Sequence, residues 1–90
     1  MNDMKLIRKE GVQAQLVGDE FILLDNASGQ VHQLNVTASF IWEKCNGDNS
    51  IEDIASALTE AFELTQQQAV QDVRTVLEDF QSKSLVLVKL

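Results

Sequence analysis

The chain has 90 residues, of which 44% are hydrophobic, and its formal net charge at pH 7 is −7. This hydrophobic fraction predicts a folded single domain and argues against disorder. Nucleic-acid binders need a basic surface that displaces counterions from phosphates. Here seven Lys and Arg residues are scattered among fourteen acidic ones, so no nucleic-acid partner is expected.

Cysteine content and apolar run lengths indicate where the protein is found. A single cysteine cannot form an intramolecular disulfide, so nothing calls for an oxidising compartment. No apolar run approaches the roughly 18–20 residues needed to span a bilayer, and residues 1–11 lack the apolar region of a signal peptide. We therefore expect a cytoplasmic protein with no membrane partner.

Three strands are predicted in the first part of the chain. Residues 1–11 are expected to form a flexible N-terminus, which leaves residues 12–90 as a single domain. The first strand begins near Val12, where apolar and polar residues alternate. The second covers Glu20–Asp25 and the third Gln30–Leu34, with polar, glycine-containing turns between them. The pattern is that of a three-stranded antiparallel meander.

Two helices are predicted next. The first runs from about Val36 to Asn46, with Asn35 as its N-cap and Gly47 as the left-handed residue that ends it. The second begins after Ser50, which forms a near capping box with Asp53. Its apolar stripe consists of Ile51, Ile54, Leu58 and Phe62.

A third helix is predicted from Thr65 to about Lys83, followed by a short final strand or apolar tail at Leu85–Leu90. At about 100° per residue, its core face is centred on Ala69, Val73, Val76 and Phe80. Val70 and Leu77 lie to one side of this face, with Arg74 beyond them. Whether this flank lines a groove or widens the core is left open. The order of elements predicts an α+β, winged-helix-like fold, in which a three-stranded antiparallel sheet precedes three helices.

No constellation of catalytic or metal-binding residues is evident. A metal site needs three or four clustered ligands, and the chain has one His and one Cys that are far apart in sequence. His32 falls in a predicted strand, and Cys45 falls on the apolar face of the first helix, where a small core residue is expected. Ser50 is explained as a helix cap. We therefore expect no enzyme activity, no metal and no cofactor.

The order of motifs around the hairpin resembles that of a known family. In sequence these motifs are Leu23-Leu24-Asp25, a turn with Gly29, a short strand, Leu34-Asn35, a helix with Ile41-Trp42, and Asn46-Gly47. This order resembles the PqqD family, small accessory proteins of pyrroloquinoline quinone biosynthesis. The wider group comprises the recognition elements for ribosomally synthesised, post-translationally modified peptides. The resemblance covers roughly residues 12–88, with departures at Phe80 and Lys83-Ser84, where the family pattern has Leu and a Gly.

The resemblance implies a function and a binding site. In the family, a leader peptide adds as an extra strand to the edge of the third strand and rests against the third helix. Carried over to this chain, the pairing strand would consist of Gln30, Val31, His32, Gln33 and Leu34. The wall would consist of Val70, Arg74 and Leu77. The implied protein is a non-catalytic adaptor that presents the leader of a precursor peptide to a modifying enzyme, such as a radical-SAM protein, a peptidase or a cyclase.

Two alternatives stay open at this point. A winged-helix DNA-binding regulator would place the third helix in the major groove, where Arg, Lys, Asn and Gln make the contacts. That helix instead carries Asp72, Glu78 and Asp79. A small oligomerisation module would pair the open edge of the third strand with a second copy, which makes a homodimer the other partner to consider.

Overall fold

The computed structural model describes residues 4–89, and this part of the chain contains six strands and three helices. The strands are β1 (Lys5–Arg8), β2 (Val12–Val17), β3 (Glu20–Asp25), β4 (Gln30–Gln33), β5 (Asn46–Ser50) and β6 (Val86–Lys89). The helices are α1 (Val36–Lys44), α2 (Ile51–Phe62) and α3 (Gln66–Ser82). Two antiparallel sheets form, with strand orders β2-β3-β4 and β5-β1-β6. The predicted α+β class, the three-stranded meander and the short C-terminal strand are confirmed.

The second sheet contains two strands that the sequence did not predict. β1 lies inside the segment expected to be a flexible N-terminus, and it pairs with both β5 and β6. Its Leu6 is 2% exposed, so this segment contributes to the core. The two apolar residues of this segment, Leu6 and Ile7, are adjacent and give no alternation, and β1 is held by pairing partners about 40 and 80 residues away. Residues 1–3, and Leu90 at the end of the predicted C-terminal segment, lie outside the described part of the chain.

β5 changes the end of the first helix. The helix was predicted to reach Asn46, but α1 ends at Lys44 and Asn46 begins β5. Gly47 does have a positive φ of 85°, yet it lies within β5 rather than at a helix terminus. The positive φ favours glycine here, and a Cβ at this position would also require the end of the Lys89 side chain, 2.9 Å away, to move. The sequence NGDNS has low strand propensity, and pairing with β1 overrides it.

Side-chain caps fix where the helices begin. The Asn35 side chain accepts a hydrogen bond from the Ala38 backbone N–H at 2.8 Å, as predicted. At α2 the capping box is complete, because the Ser50 hydroxyl accepts from the Asp53 N–H at 3.1 Å and the Asp53 carboxylate accepts from the Ser50 N–H at 2.9 Å. The hydrogen bond from the Ser50 backbone holds the pKa of Asp53 below its usual value. Thr65 and Gln68 form an equivalent box at the start of α3.

The core is formed by residues from both sheets and all three helices. The largest fully buried side chains are Phe80, Leu23, Ile41, Ile54, Leu58, Leu85, Val73 and Cys45. Arg8 closes one end of α1, because its guanidinium donates to the carbonyls of Trp42 and Glu43, at 3.0 and 2.8 Å. These bonds supplement the Cys45 N–H bond to the Trp42 carbonyl and give the Glu43 carbonyl, in the last turn, a partner.

Candidate functional site

β4 is an edge strand, and no strand pairs with its far side within residues 4–89. Leu34 donates its backbone N–H to the carbonyl of Phe21 at 2.9 Å. In an antiparallel ladder, facing residues alternate between pairs that exchange hydrogen bonds and pairs that do not. The register sets Gln30, His32 and Leu34 in the bonded set that faces β3. The backbone N–H and C=O groups of Val31 and Gln33 therefore face the open edge.

The side chains of β4 alternate between two faces of the sheet. His32 lies opposite Leu23, which is fully buried, so the imidazole points to the core side. Its Nε2 atom is buried and has no hydrogen-bond partner among the described residues. Val31 lies opposite Leu24 on the outer face and is 65% exposed. Sequence alone did not show which β4 side chains share a face of the sheet. In the structure His32 and Leu34 lie on the core face, and Val31 lies on the outer face.

A groove joins the end of β4 to α3. Its volume is about 330 Å³, and α1 contributes one side of it. The lining residues are Gln33, Leu34, Asn35, Ala38, Thr75, Val76, Asp79, Phe80 and Lys83. The lining is mixed: Leu34, Ala38, Val76 and Phe80 supply its apolar part, and Asp79 and Lys83 form an ion pair with 3.0 Å between carboxylate and ammonium. The arrangement places a groove with both apolar and polar lining directly beside a strand edge whose backbone groups face outward.

The structure separates the α3 residues that the sequence placed in the binding wall. Leu77 is 3% exposed and belongs to the core, so its side chain is closed to a surface ligand. Val70 and Arg74 line a different depression, which is formed by α3 residues alone and includes no residue of β4. The flank of α3 that meets the end of β4 is the opposite one, with Val76 and Asp79. Helical periodicity placed Arg74 and Val70 on one flank and Val76 in the core face, but it could not show which side of α3 meets the end of β4.

The described residues were also considered for a reactive cysteine, a metal site and a membrane-spanning helix. Cys45 is buried, its thiol donates to the carbonyl of Ile41 at 3.3 Å, and burial raises the pKa of the thiol to about 12. A thiol that stays protonated is a poor nucleophile. Residues 4–89 contain no group of three or more His, Cys, Asp or Glu side chains that could hold a metal ion. In the same range, no helix has the length and apolar character that crossing a membrane requires.

Comparison with known proteins places this geometry in context. The family model for coenzyme PQQ synthesis protein D (PqqD) matches residues 20–86. Among solved structures, TbiB1 in complex with the TbiA(beta) leader peptide is similar, with a TM-score of 0.81 at 22% identity, over 89% of this chain and 93% of that one. A lasso peptide synthetase B1 complexed with the leader peptide gives a TM-score of 0.82 at 24% identity, over 92% and 98% of the two chains. No curated protein sequence matches this chain.

Proposed function

Because the chain belongs to the PqqD family, we propose that it is a non-catalytic adaptor that binds the leader of a precursor peptide by strand addition. The observation that carries the proposal is the open edge of β4, where the backbone groups of Val31 and Gln33 face outward beside the groove. Main-chain pairing supplies affinity with little demand on sequence, and an adjacent groove selects side chains. The two similar structures each hold a leader peptide, which supports this assignment.

The bound leader would be presented to a modifying enzyme in the cytoplasm. The classes that fit are a radical-SAM protein, a peptidase or a cyclase, each of which acts on a precursor peptide held by its leader. The adaptor itself contributes binding and orientation. Its described residues offer a strand edge and an adjacent groove with apolar and charged side chains, and these features can hold an extended peptide.

In this proposal the wall of the site is the flank of α3 that carries Thr75, Val76 and Asp79, since these residues line the groove with Leu34. The flank with Val70 and Arg74 was predicted from periodicity on the assumption that it faces the edge. A peptide strand beside β4 would pass the first flank, because that flank meets the end of β4. Leu77 would act from beneath as a core residue that positions the helix.

Amide NMR of the labelled protein, titrated with a synthetic leader from a short gene beside its own, tests the proposal. Shifts are expected at Val31 and Gln33 and along Thr75–Asp79. Val76→Ser should weaken binding about tenfold, which corresponds to about 1.4 kcal/mol. Arg74→Ala should leave the Kd within about twofold, because Arg74 lies outside the groove.

Three outcomes would count against this assignment. Shifts confined to β2 or α2, with β4 silent, would rule out the edge as the peptide site. Loss of binding in Arg74→Ala, with Val76→Ser unaffected, would move the wall to the other flank. Turnover of the peptide by the protein alone would show that it is an enzyme rather than an adaptor.

A further inference from the structure

A second groove lies on a different face of α1 from the peptide groove. It runs between the β2–β3 turn, α1 and the end of α2, and its volume is about 210 Å³. The lining residues are Leu16, Gly18, Asp19, Phe21, Val36, Ser39, Phe40, Glu43 and Phe62. The peptide groove uses Asn35 and Ala38 of this region instead, so the two grooves share no residue. Both can be occupied at once.

The floor of this second groove is apolar and firmly built. Phe40 and Phe62 meet edge to face, with ring centroids 5.6 Å apart. The hydroxyl of Ser39 accepts from the backbone N–H of Phe21 at 2.8 Å and donates to the carbonyl of Leu34 at 3.4 Å. The polar atoms in the floor are thus satisfied within the protein. Leu16, at the mouth, is 56% exposed, which is a large exposure for a leucine at a concave site.

The charge at the rim of the second groove is negative. Asp19 and Glu43 supply carboxylates, and the lining includes no Lys, Arg or His. Close by, the ammonium of Lys44 lies 5.2 Å from the centroid of the Phe40 ring. The protein thus already places one of its own cations against this aromatic surface, as expected for a cation–π contact. A ligand with a cation next to an apolar group would find complementary charge and surface here.

We propose that this second groove is a docking site for a protein partner that inserts one bulky apolar side chain flanked by a lysine or arginine. The volume is below the roughly 300–1,000 Å³ of small-molecule sites and suits a single side chain. An apolar anchor in a pocket, with charges at the rim, is a common way for protein interfaces to gain affinity and orientation. The partner is the enzyme that acts on the bound leader, an assignment that rests on the proposed function.

A pair of small probes of opposite charge tests the site directly. The labelled full-length protein is titrated with 4-phenylbutylamine and, separately, with 4-phenylbutyrate, and amide shifts are followed by NMR. The amine should shift Leu16, Phe21 and Phe40 with a millimolar Kd, and the carboxylate should bind at least about fivefold more weakly, since Asp19 and Glu43 repel it. The amine's affinity should fall as salt is added.

Matched variants separate the groove from general surface effects. Leu16→Thr should weaken amine binding at least about threefold, whereas Val17→Thr should not. The two residues are neighbours in β2 with almost equal exposure, 56% and 54%, and Val17 points to the other face. Asp19→Lys with Glu43→Lys should abolish the preference for the amine. Glu10→Lys, on an exposed turn that lines neither groove, is the control for charge reversal.

The partner is tested with the purified modifying enzyme from the neighbouring gene. The Asp19→Lys, Glu43→Lys variant should bind this enzyme at least about tenfold more weakly and bind the leader peptide with unchanged Kd. Equal shifts from both probes, or none from either, would overturn the proposed site. If the variant bound the modifying enzyme with unchanged affinity, the assignment of that enzyme as the partner would be wrong. Failure of the leader to shift Val31 and Gln33, with the amine still titrating the second groove, would refute the proposed function instead.

Discussion

Trp42 and Phe80 meet edge to face, with ring centroids 5.7 Å apart and ring planes at 87°. Trp42 is 3% exposed and Phe80 is 1% exposed, so the contact ties α1 to α3 inside the core. Edge-to-face pairs add about 0.5–1.5 kcal/mol beyond the area that they bury. The Phe80 ring thus contributes directly to the packing of α3 against α1.

Trp42→Ala should therefore lower the free energy of unfolding by about 3–5 kcal/mol, because it leaves a large cavity beside Phe80. In a domain of this size that is a large share of the total stability. Urea or guanidinium unfolding followed by circular dichroism measures it. Val17→Ala, at a residue that is 54% exposed, is the control and should change the value by less than about 0.5 kcal/mol. A loss of under about 1 kcal/mol in Trp42→Ala would contradict the packing described.

The backbone conformation just after α3 suggests a substitution, at Ser84, that should stabilise the protein. Ser84 has a φ of 57°, in the left-handed region that favours glycine. The Ser84 N–H bonds to the carbonyl of Gln81, and the Leu85 N–H bonds to that of Phe80, which together make a Schellman motif. A side chain in this conformation costs about 1 kcal/mol that glycine avoids. Ser84→Gly should therefore raise the free energy of unfolding by about 0.5–1 kcal/mol.

Ser82→Gly is the matched control for that substitution. Ser82 lies two residues earlier, within α3, where glycine is unfavourable. This variant should lose about 0.5–1 kcal/mol, as read from thermal or denaturant unfolding of the two proteins side by side. If both glycines destabilise equally, Ser84 is not held in the left-handed conformation.

Stability should also depend on the ionisation of Cys45. Burial raises the pKa of its thiol from about 9 to about 12, with the Arg8 guanidinium lowering it slightly. Between these two pKa values the thiol loses its proton in the unfolded protein and keeps it in the folded protein. Ionisation therefore stabilises the unfolded state relative to the folded state. This group should therefore lower stability as pH rises above about 9, by up to about 1.4 kcal/mol per pH unit.

Unfolding free energies of the native protein and of Cys45→Ala, measured from pH 8 to 10.5, isolate that effect. The two curves should converge as pH rises, because the variant lacks the thiol while all other titrating groups are shared. Parallel curves throughout this range would mean that Cys45 is exposed enough to ionise in the folded protein.

The local features of the fold could be predicted from sequence, whereas the long-range pairings could not. Helix caps involve residues only three positions apart, so they can be recognised from the local sequence. The caps at Asn35, Ser50 and Thr65 are of this kind. β1 and β5 depend on each other and on β6, and neither has an apolar alternation long enough to be seen. Gly47 was recognised as left-handed but assigned to a helix end, since its strand partner was unknown.

The candidate site also has one feature that sequence predicts and others that depend on tertiary packing. The open third strand followed from a hairpin that runs directly into a helix at Leu34-Asn35. Which amides face outward depends on the Leu34–Phe21 bond, and which flank of α3 meets β4 depends on how the helix packs. Periodicity gives the angle between Val76 and Arg74 around the helix, but the rotation of that helix against the sheet is a tertiary property.

The direction of the β4 amides gives the sharpest test of peptide capture. Proline removes a backbone N–H, so its effect depends on where that N–H points. At Val31 the N–H faces the open edge, and Val31→Pro should leave the β3–β4 pairing intact while weakening leader binding at least about tenfold. At His32 the N–H faces β3, opposite Leu23, and His32→Pro should destabilise the sheet itself.

The two variants are compared by thermal unfolding and by leader titration followed by amide NMR. Val31→Ala serves as the control, because it removes most of the exposed Val31 side chain but keeps the N–H, and it should bind the leader nearly as well as the native protein. Val31→Pro that folds and binds the leader normally would mean that this amide takes no part in capture. His32→Pro that folds normally but loses the leader would reverse the register deduced from the Leu34–Phe21 bond. The expected pair of results, with binding lost at Val31 and folding lost at His32, follows from strand addition at the alternating positions of an antiparallel edge.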